Sequence, residues 1–183
     1  MILKEWNFNQ IASGYGYSSK EEYVKDLHVP SLSKFSETTL AKLVGGEVTT
    51  QGVWDVTVEV PPKGKHWSER IEIRGLGNNN VYFNPSTDNG ANRPFVLENF
   101  KKKLSDITSY VFFDYRDLLN ECGDVKLYEI PVEIVKQYWE EGKLGTRTSI
   151  SVRKRKKDNK SQFDDLFPYE DFKLIIGDKN EKI

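Results

Sequence analysis

Val53-Trp54-Asp55-Val56-Thr57-Val58-Glu59-Val60, then Pro61-Pro62-Lys63-Gly64-Lys65, then Arg70-Ile71-Glu72-Ile73-Arg74, is the stretch on which the reading of this chain turns. Apolar residues recur at every second position on both sides of a Pro/Gly break, the period of a strand with one buried face. The pattern predicts a β-hairpin. Val56, Val58 and Val60 point one way, and Asp55, Thr57 and Glu59 the other. In the second strand Ile71 and Ile73 turn inward, leaving Arg70, Glu72 and Arg74 together on the opposite face.

Upstream, residues 33–46 open with serine and close with Gly45-Gly46, and Phe35, Leu40, Leu43 and Val44 fall near helical spacing, so a helix is expected there. A further short helix is expected from about Ser19 to Leu27, ended by Pro30. Downstream, a polar loop runs from Gly75 to Pro94, with a short strand at 81–83. An amphipathic helix follows at 95–107, containing the basic run Lys101-Lys102-Lys103. The continuous apolar run at 109–113 reads as a buried strand and 125–130 as another. Pro131 then starts a helix carrying Val135, Tyr138 and Trp139. Thr148 to Val152 suggests one last strand. This order predicts an α/β fold, a mixed central sheet flanked by helices, in a single domain. Residues 1–30 form an N-terminal arm, 33–142 the core, and 143–183 a basic strand, loop and tail.

With 183 residues the chain is long enough to bury a core without staples, and its 13% aromatic content compensates for a hydrophobic fraction of 37%. Charged residues make up 30% but nearly cancel, at a net −1, unlike a disordered chain. One cysteine, Cys122, permits no internal disulfide, and His28 and His66 stand apart, which excludes a structural zinc site. No apolar run is long enough for a membrane helix, and the N-terminus lacks a signal-peptide core, so a cytoplasmic protein is expected. The charge is unevenly placed: residues 143–160 hold eight basic residues against the single acid Asp158, a net +7, while the rest of the chain carries −8. Such segregation points to an anionic partner.

Asp55 in the first hairpin strand and Glu72-Ile73-Arg74 in the second, with a helix before and a helix and two strands after, resemble the PD-(D/E)xK nuclease superfamily, which includes many type II restriction endonucleases. The resemblance spans roughly Ser33 to Trp139. It implies a restriction-endonuclease-like core in which Asp55, Glu72 and the position-74 cation form the catalytic set. Two carboxylates on adjacent strands can share a hard cation such as Mg²⁺, which takes oxygen ligands and keeps several waters. Such an ion neutralises a phosphodiester and activates water. Glu37, on the preceding helix, is implied as a further catalytic residue and metal ligand, as in several branches of that family. The sequence departs from the family at position 74, where arginine replaces the usual lysine, and at position 54, where Trp54 precedes the aspartate. Arginine can hold and polarise a phosphate but does not relay a proton, so the same string also suits a catalytically inactive relative.

If the resemblance holds, the substrate is double-stranded DNA and the protein is a homodimer, since two-fold sites call for two-fold proteins. Asn89, Asn92 and Arg93 in the polar loop, and Arg147, Arg153, Lys154, Arg155 and Lys156 in the basic stretch, are the expected DNA contacts. Asp124-Val125-Lys126, with Asp114 upstream, is a second acid-x-Lys string and an alternative site. A metal-free nucleic-acid-binding module and a plain interaction protein are the competing functions.

Overall fold

A computed structural model describes residues 1–3, 13, 16–19, 22, 32–50, 53–60, 67–77, 79–85, 94–121, 124–145 and 147–174. Most of the helix expected at 19–27 lies outside these residues, as do the Pro/Gly turn of the hairpin, His28, His66, Cys122, Asn89, Asn92 and Arg93. The strands are β1 (Ile2–Leu3), β2 (Glu47–Val48), β3 (Val56–Val60), β4 (Trp67–Leu76), β5 (Asn80–Tyr82), β6 (Ser109–Asp114), β7 (Val125–Pro131) and β8 (Ser149–Ser151). The helices are α1 (Ser33–Val44), α2 (Leu97–Asp106), α3 (Arg116–Glu121), α4 (Val132–Glu140), α5 (Gln162–Leu166) and α6 (Tyr169–Phe172).

The fold is α/β with a mixed sheet. Six strands run in the order β1-β7-β6-β4-β3-β2, and β5 and β8 form a separate two-stranded ribbon. The hairpin forms as expected, β3 and β4 pairing antiparallel from Val56 opposite Ile71 to Val60 opposite Trp67. β4 and β6 are parallel. Parallel neighbours require a crossover, and the segment holding the ribbon strand β5 and helix α2 supplies it.

Alternation along the central strands divides the core in two. Val56, Val58, Ile71, Ile73, Val111 and Phe113 face Leu32, Leu40 and Ala41 at α1. Tyr110, Phe112, Tyr128 and Ile130 face the other way, against Phe100 and Leu104 of α2, Val135 of α4, Phe163 of α5, and Phe83, Val81 and Ile150 around the ribbon. Every residue of β6 is buried, which is why its sequence is apolar without alternation. Phe83, Phe112, Phe163 and Phe167 are fully enclosed and touch edge-on or tilted. Each contributes about 1.5–3 kcal/mol by burial.

Several boundaries differ from those the sequence implies. Serine does not cap α1: the N-cap is Leu32, without a side-chain hydrogen bond, and Ser36 Oγ donates back to the Leu32 carbonyl at 2.9 Å. Its C-terminus does end on glycine, with Gly45 left-handed at φ 65°. Gly46 is needed for a close approach, because a Cβ there would lie 2.5 Å from the Thr57 carbonyl oxygen. Asp55 and Val53 precede β3 rather than belonging to it. The last expected strand is found as β8, but it pairs with β5 outside the main sheet. Edge strands β1 and β2 and helices α3, α5 and α6 have no counterpart among the elements expected from the sequence.

Candidate active site

Since Ile71 and Ile73 turn toward α1, Glu72 and Arg74 turn toward the α2 layer. Glu72 is therefore a carboxylate inside the fold, only 4% exposed. Its Oε1 accepts from Arg74 Nη1 at 2.6 Å, and its Oε2 accepts from Lys103 Nζ. Lys103 projects from α2, is 4% exposed, and also donates to the Val53 carbonyl. Asp55 closes the open end of the hairpin. Its own N–H donates to the Ile71 carbonyl at 2.9 Å, and its Oδ2 accepts from the Ile73 N–H at 2.7 Å. Asp55 is half-buried, and its Oδ1 has no hydrogen-bond partner among the described residues.

Two acids and two bases thus meet where the hairpin mouth and α2 converge. Burial pushes the Glu72 carboxyl above the usual range and Asp55 pushes it further, while Arg74 and Lys103 oppose both. Burial lowers the Lys103 ammonium and Arg74 adds to that, against the pull of Glu72 and Asp55. Burial thus shifts the pKa values of the two groups toward each other, the direction that suits acid–base work.

Arg74 is spoken for by the protein. Besides Glu72, its Nε donates to the Tyr82 carbonyl at 3.2 Å, Nη1 to the Ile73 carbonyl at 3.3 Å, and Nη2 to the Asn84 carbonyl at 3.1 Å. It bolts β5 to β4. The second cation beside the acid, from a separate helix, is Lys103, which in the sequence is only the last member of a basic run. A signal is present there: Phe100, Lys103, Leu104 and Ile107 fall at i, i+3, i+4 and i+7, so this lysine occupies a core position of α2.

Glu37 does not join the cluster. It pairs with Lys34 one turn away on α1 at 3.4 Å, and it is not among the charges acting on Glu72 or Lys103. Among the described residues no three His, Cys, Asp or Glu side chains are grouped to hold a metal. Of the two carboxylates, Asp55 has one oxygen unengaged among the described residues, whereas both Glu72 oxygens are held by Arg74 and Lys103.

At the alternative acid-x-Lys site, Asp114 and Lys126 are engaged in separate internal ion pairs. Asp114 is buried and accepts from Arg116 Nε at 2.8 Å and Nη2 at 2.7 Å, and Arg116 also grips Asp164 at 2.7 Å. Lys126 pairs with Asp117 at 3.2 Å, and Asp124 is exposed ahead of β7. In the basic stretch, Lys154 pairs with Asp117 at 2.8 Å, and Arg155 lies between Asp158 at 2.8 Å and Asp165 at 2.6 Å. Arg147, Arg153 and Lys156 are exposed. The expected DNA-binding strip is thus partly consumed by internal ion pairs. No described helix is long and apolar enough to cross a membrane. Comparison of the chain with protein-family models, curated proteins and solved structures returns no match.

Proposed function

We propose that the protein is a cytoplasmic, Mg²⁺-dependent endonuclease that hydrolyses phosphodiester bonds in double-stranded DNA as a homodimer, in the manner of a type II restriction enzyme. The observation that carries this reading is the buried Glu72 carboxylate facing Lys103 from a separate helix, with Asp55 beside it at the hairpin mouth. Asp55 and Glu72 would hold the ion, which would supply charge neutralisation at the phosphate and a lowered pKa for water. Lys103 holds the transferable proton and offers a cation to the phosphate. Arg74 keeps Glu72 and β5 in place. Burial around Glu72 strengthens each of these interactions by excluding water.

The test is plasmid DNA incubated with the protein with and without Mg²⁺, alongside Asp55→Ala and Glu72→Ala. Mg²⁺-dependent cutting by the wild type, lost in both variants while DNA binding persists, is the expected result. Near-normal cutting by either variant refutes the assignment. One observation favours a second reading, a non-catalytic DNA-binding relative: both Glu72 oxygens and most Arg74 donors are already satisfied within the protein. A salt-dependent shift of a short duplex with no cutting selects that reading.

A further inference from the structure

The β5–β8 ribbon buries Val81 and Ile150 against the aromatic layer, so its alternate residues form an outer face. On that face lies an open groove of about 490 Å³ lined by Asn79, Asn80, Tyr82, Ser151 and Arg153. Its volume falls within the roughly 300–1,000 Å³ of small-molecule clefts. The lining is two carboxamides, a hydroxyl, a phenol ring and a guanidinium, with no carboxylate. Unlike Lys154 and Arg155, Arg153 spends no charge on an internal ion pair: its guanidinium has no partner among the described residues, and only its main-chain N–H is bonded, to Ser151 Oγ at 3.3 Å.

The groove is anchored to the acidic site. Tyr82 lines it with its side chain, and the carbonyl of the same residue accepts from Arg74, the direct neighbour of Glu72. The ribbon is also held at its other end, where the Val152 N–H donates to the Asn79 carbonyl at 3.0 Å, and again beside Tyr82. Thr148 is left-handed at φ 51°, an uncommon state for a β-branched residue, and its carbonyl accepts from the Phe83 N–H at 3.0 Å. A ligand in the groove therefore sits at a fixed offset from Glu72 and Lys103.

We propose that this groove seats one nucleotide unit of the DNA strand next to the cleavage position, with the base against Tyr82, its edge on the Asn79 and Asn80 amides, and a phosphate on Arg153. The inference rests on the nuclease reading for its substrate. Aromatic faces stack any base, carboxamides read base edges, and an unpaired arginine holds phosphate. The groove thus uses Arg153 of the basic run, beside Lys154 and Arg155, whose charges are taken up by Asp117, Asp158 and Asp165.

The test uses the full chain in EDTA with a labelled short duplex, comparing wild type, Arg153→Gln, Asn80→Asp and the charge-matched control Lys173→Gln by fluorescence anisotropy across salt concentrations. Free dAMP is titrated in parallel, and plasmid cutting is followed with Mg²⁺. Arg153→Gln is expected to weaken duplex binding about tenfold and to lower the salt slope by about one unit. Asn80→Asp, nearly isosteric, is expected to weaken it similarly through added negative charge, with Lys173→Gln unchanged. If wild type binds and cuts while both groove variants bind as wild type does, the groove assignment is overturned and the nuclease reading stands. If both variants lose binding but wild type never cuts, the groove stands and the nuclease reading falls. Binding of dAMP in preference to the duplex, or no duplex binding by wild type, overturns the strand contact.

Discussion

Removing both charges of the Glu72–Lys103 pair should harm stability less than removing Glu72 alone. Both side chains are 5% exposed, so solvent screens the pair weakly. Glu72→Gln leaves Lys103 and Arg74, two cations, converging on a neutral amide, and breaking a buried pair in this way costs about 3–5 kcal/mol. Lys103→Met is milder, since Glu72 keeps Arg74 at 2.6 Å. It loses one charged hydrogen bond to Glu72 and the bond to the Val53 carbonyl, about 1–3 kcal/mol. In the double variant Lys103 is no longer stranded, and one cation, Arg74, loses its carboxylate while keeping the Tyr82, Ile73 and Asn84 carbonyls. One stranded cation in place of two should leave the double variant less destabilised than Glu72→Gln.

At about 2–4 °C per kcal/mol for a chain of this size, Glu72→Gln should lower Tm by roughly 6–20 °C, with the double variant between it and wild type. The pH dependence has a definite sign. The Glu72 pKa is raised in the fold, so its contribution is fully present below about 4.5 and lost as pH rises through the higher folded value. Lys103, lowered in the fold, contributes fully above 10.5 and loses that contribution as pH falls through its folded value. Both directions make the charged pair costly near neutrality, where the double variant should come closest to wild type. Thermal melts by circular dichroism between pH 4.5 and 8 measure this, and the cutting assay on Lys103→Met should show a loss of about 10²-fold or more, the scale for one transition-state donor. Additive single-variant losses would refute the coupled site.

Arg74→Lys should fail to restore anything: a lysine cannot reach Tyr82, Asn84 and Glu72 together, so the variant should melt lower, by about 1–3 kcal/mol of lost hydrogen bonding. A variant as stable as wild type in denaturant titration counts against the strut role. Asp117→Asn should release Lys154 and Lys126 and steepen the salt dependence of duplex binding by about one unit for each lysine that then reaches phosphate. It should also flatten the acid limb of stability. Although burial pushes the Asp117 carboxyl up, Lys154 and Lys126 hold it below the ordinary value, so its contribution is present above 3.8 and lost as pH falls through the depressed folded value. An unchanged acid limb would show that the lysines do not act on it.

How far the sequence can be read follows from which contacts are local. The hairpin is legible because strand alternation is written in neighbouring residues, and the same alternation places Glu72 and Arg74 on one face. The buried strand β6 is legible from its unbroken apolarity, since a strand covered on both faces has no polar side to show. The ribbon is legible only as two separate short strands. Its pairing joins Asn80 to Ser151, and no local pattern encodes a partner that distant. Arg116 escapes notice for a related reason: its partners Asp114 and Asp164 lie on two elements, and only the nearer is adjacent in the chain.

Lys103 shows why the site itself is only half visible in the sequence. Acid and base come from different elements, 31 residues apart in sequence, and chain distance hides their contact. Helical phase does not hide it. Lys101 and Lys102 fall on the exposed side of α2 and Lys103 on the side of Phe100, Leu104 and Ile107, so the three lysines of one run divide between solvent and core. A lysine is almost never enclosed without a partner. Its place in the apolar stripe therefore demands an acid on whatever surface that stripe covers, and a buried strand acid is the natural candidate. The same reasoning explains the arginine at position 74. With Lys103 already supplying the cation that can give up a proton, position 74 is free to hold a residue that cannot. A guanidinium, with its several fixed donors, joins Glu72 to the carbonyls of β5 and the following turn in a way that a lysine there could not.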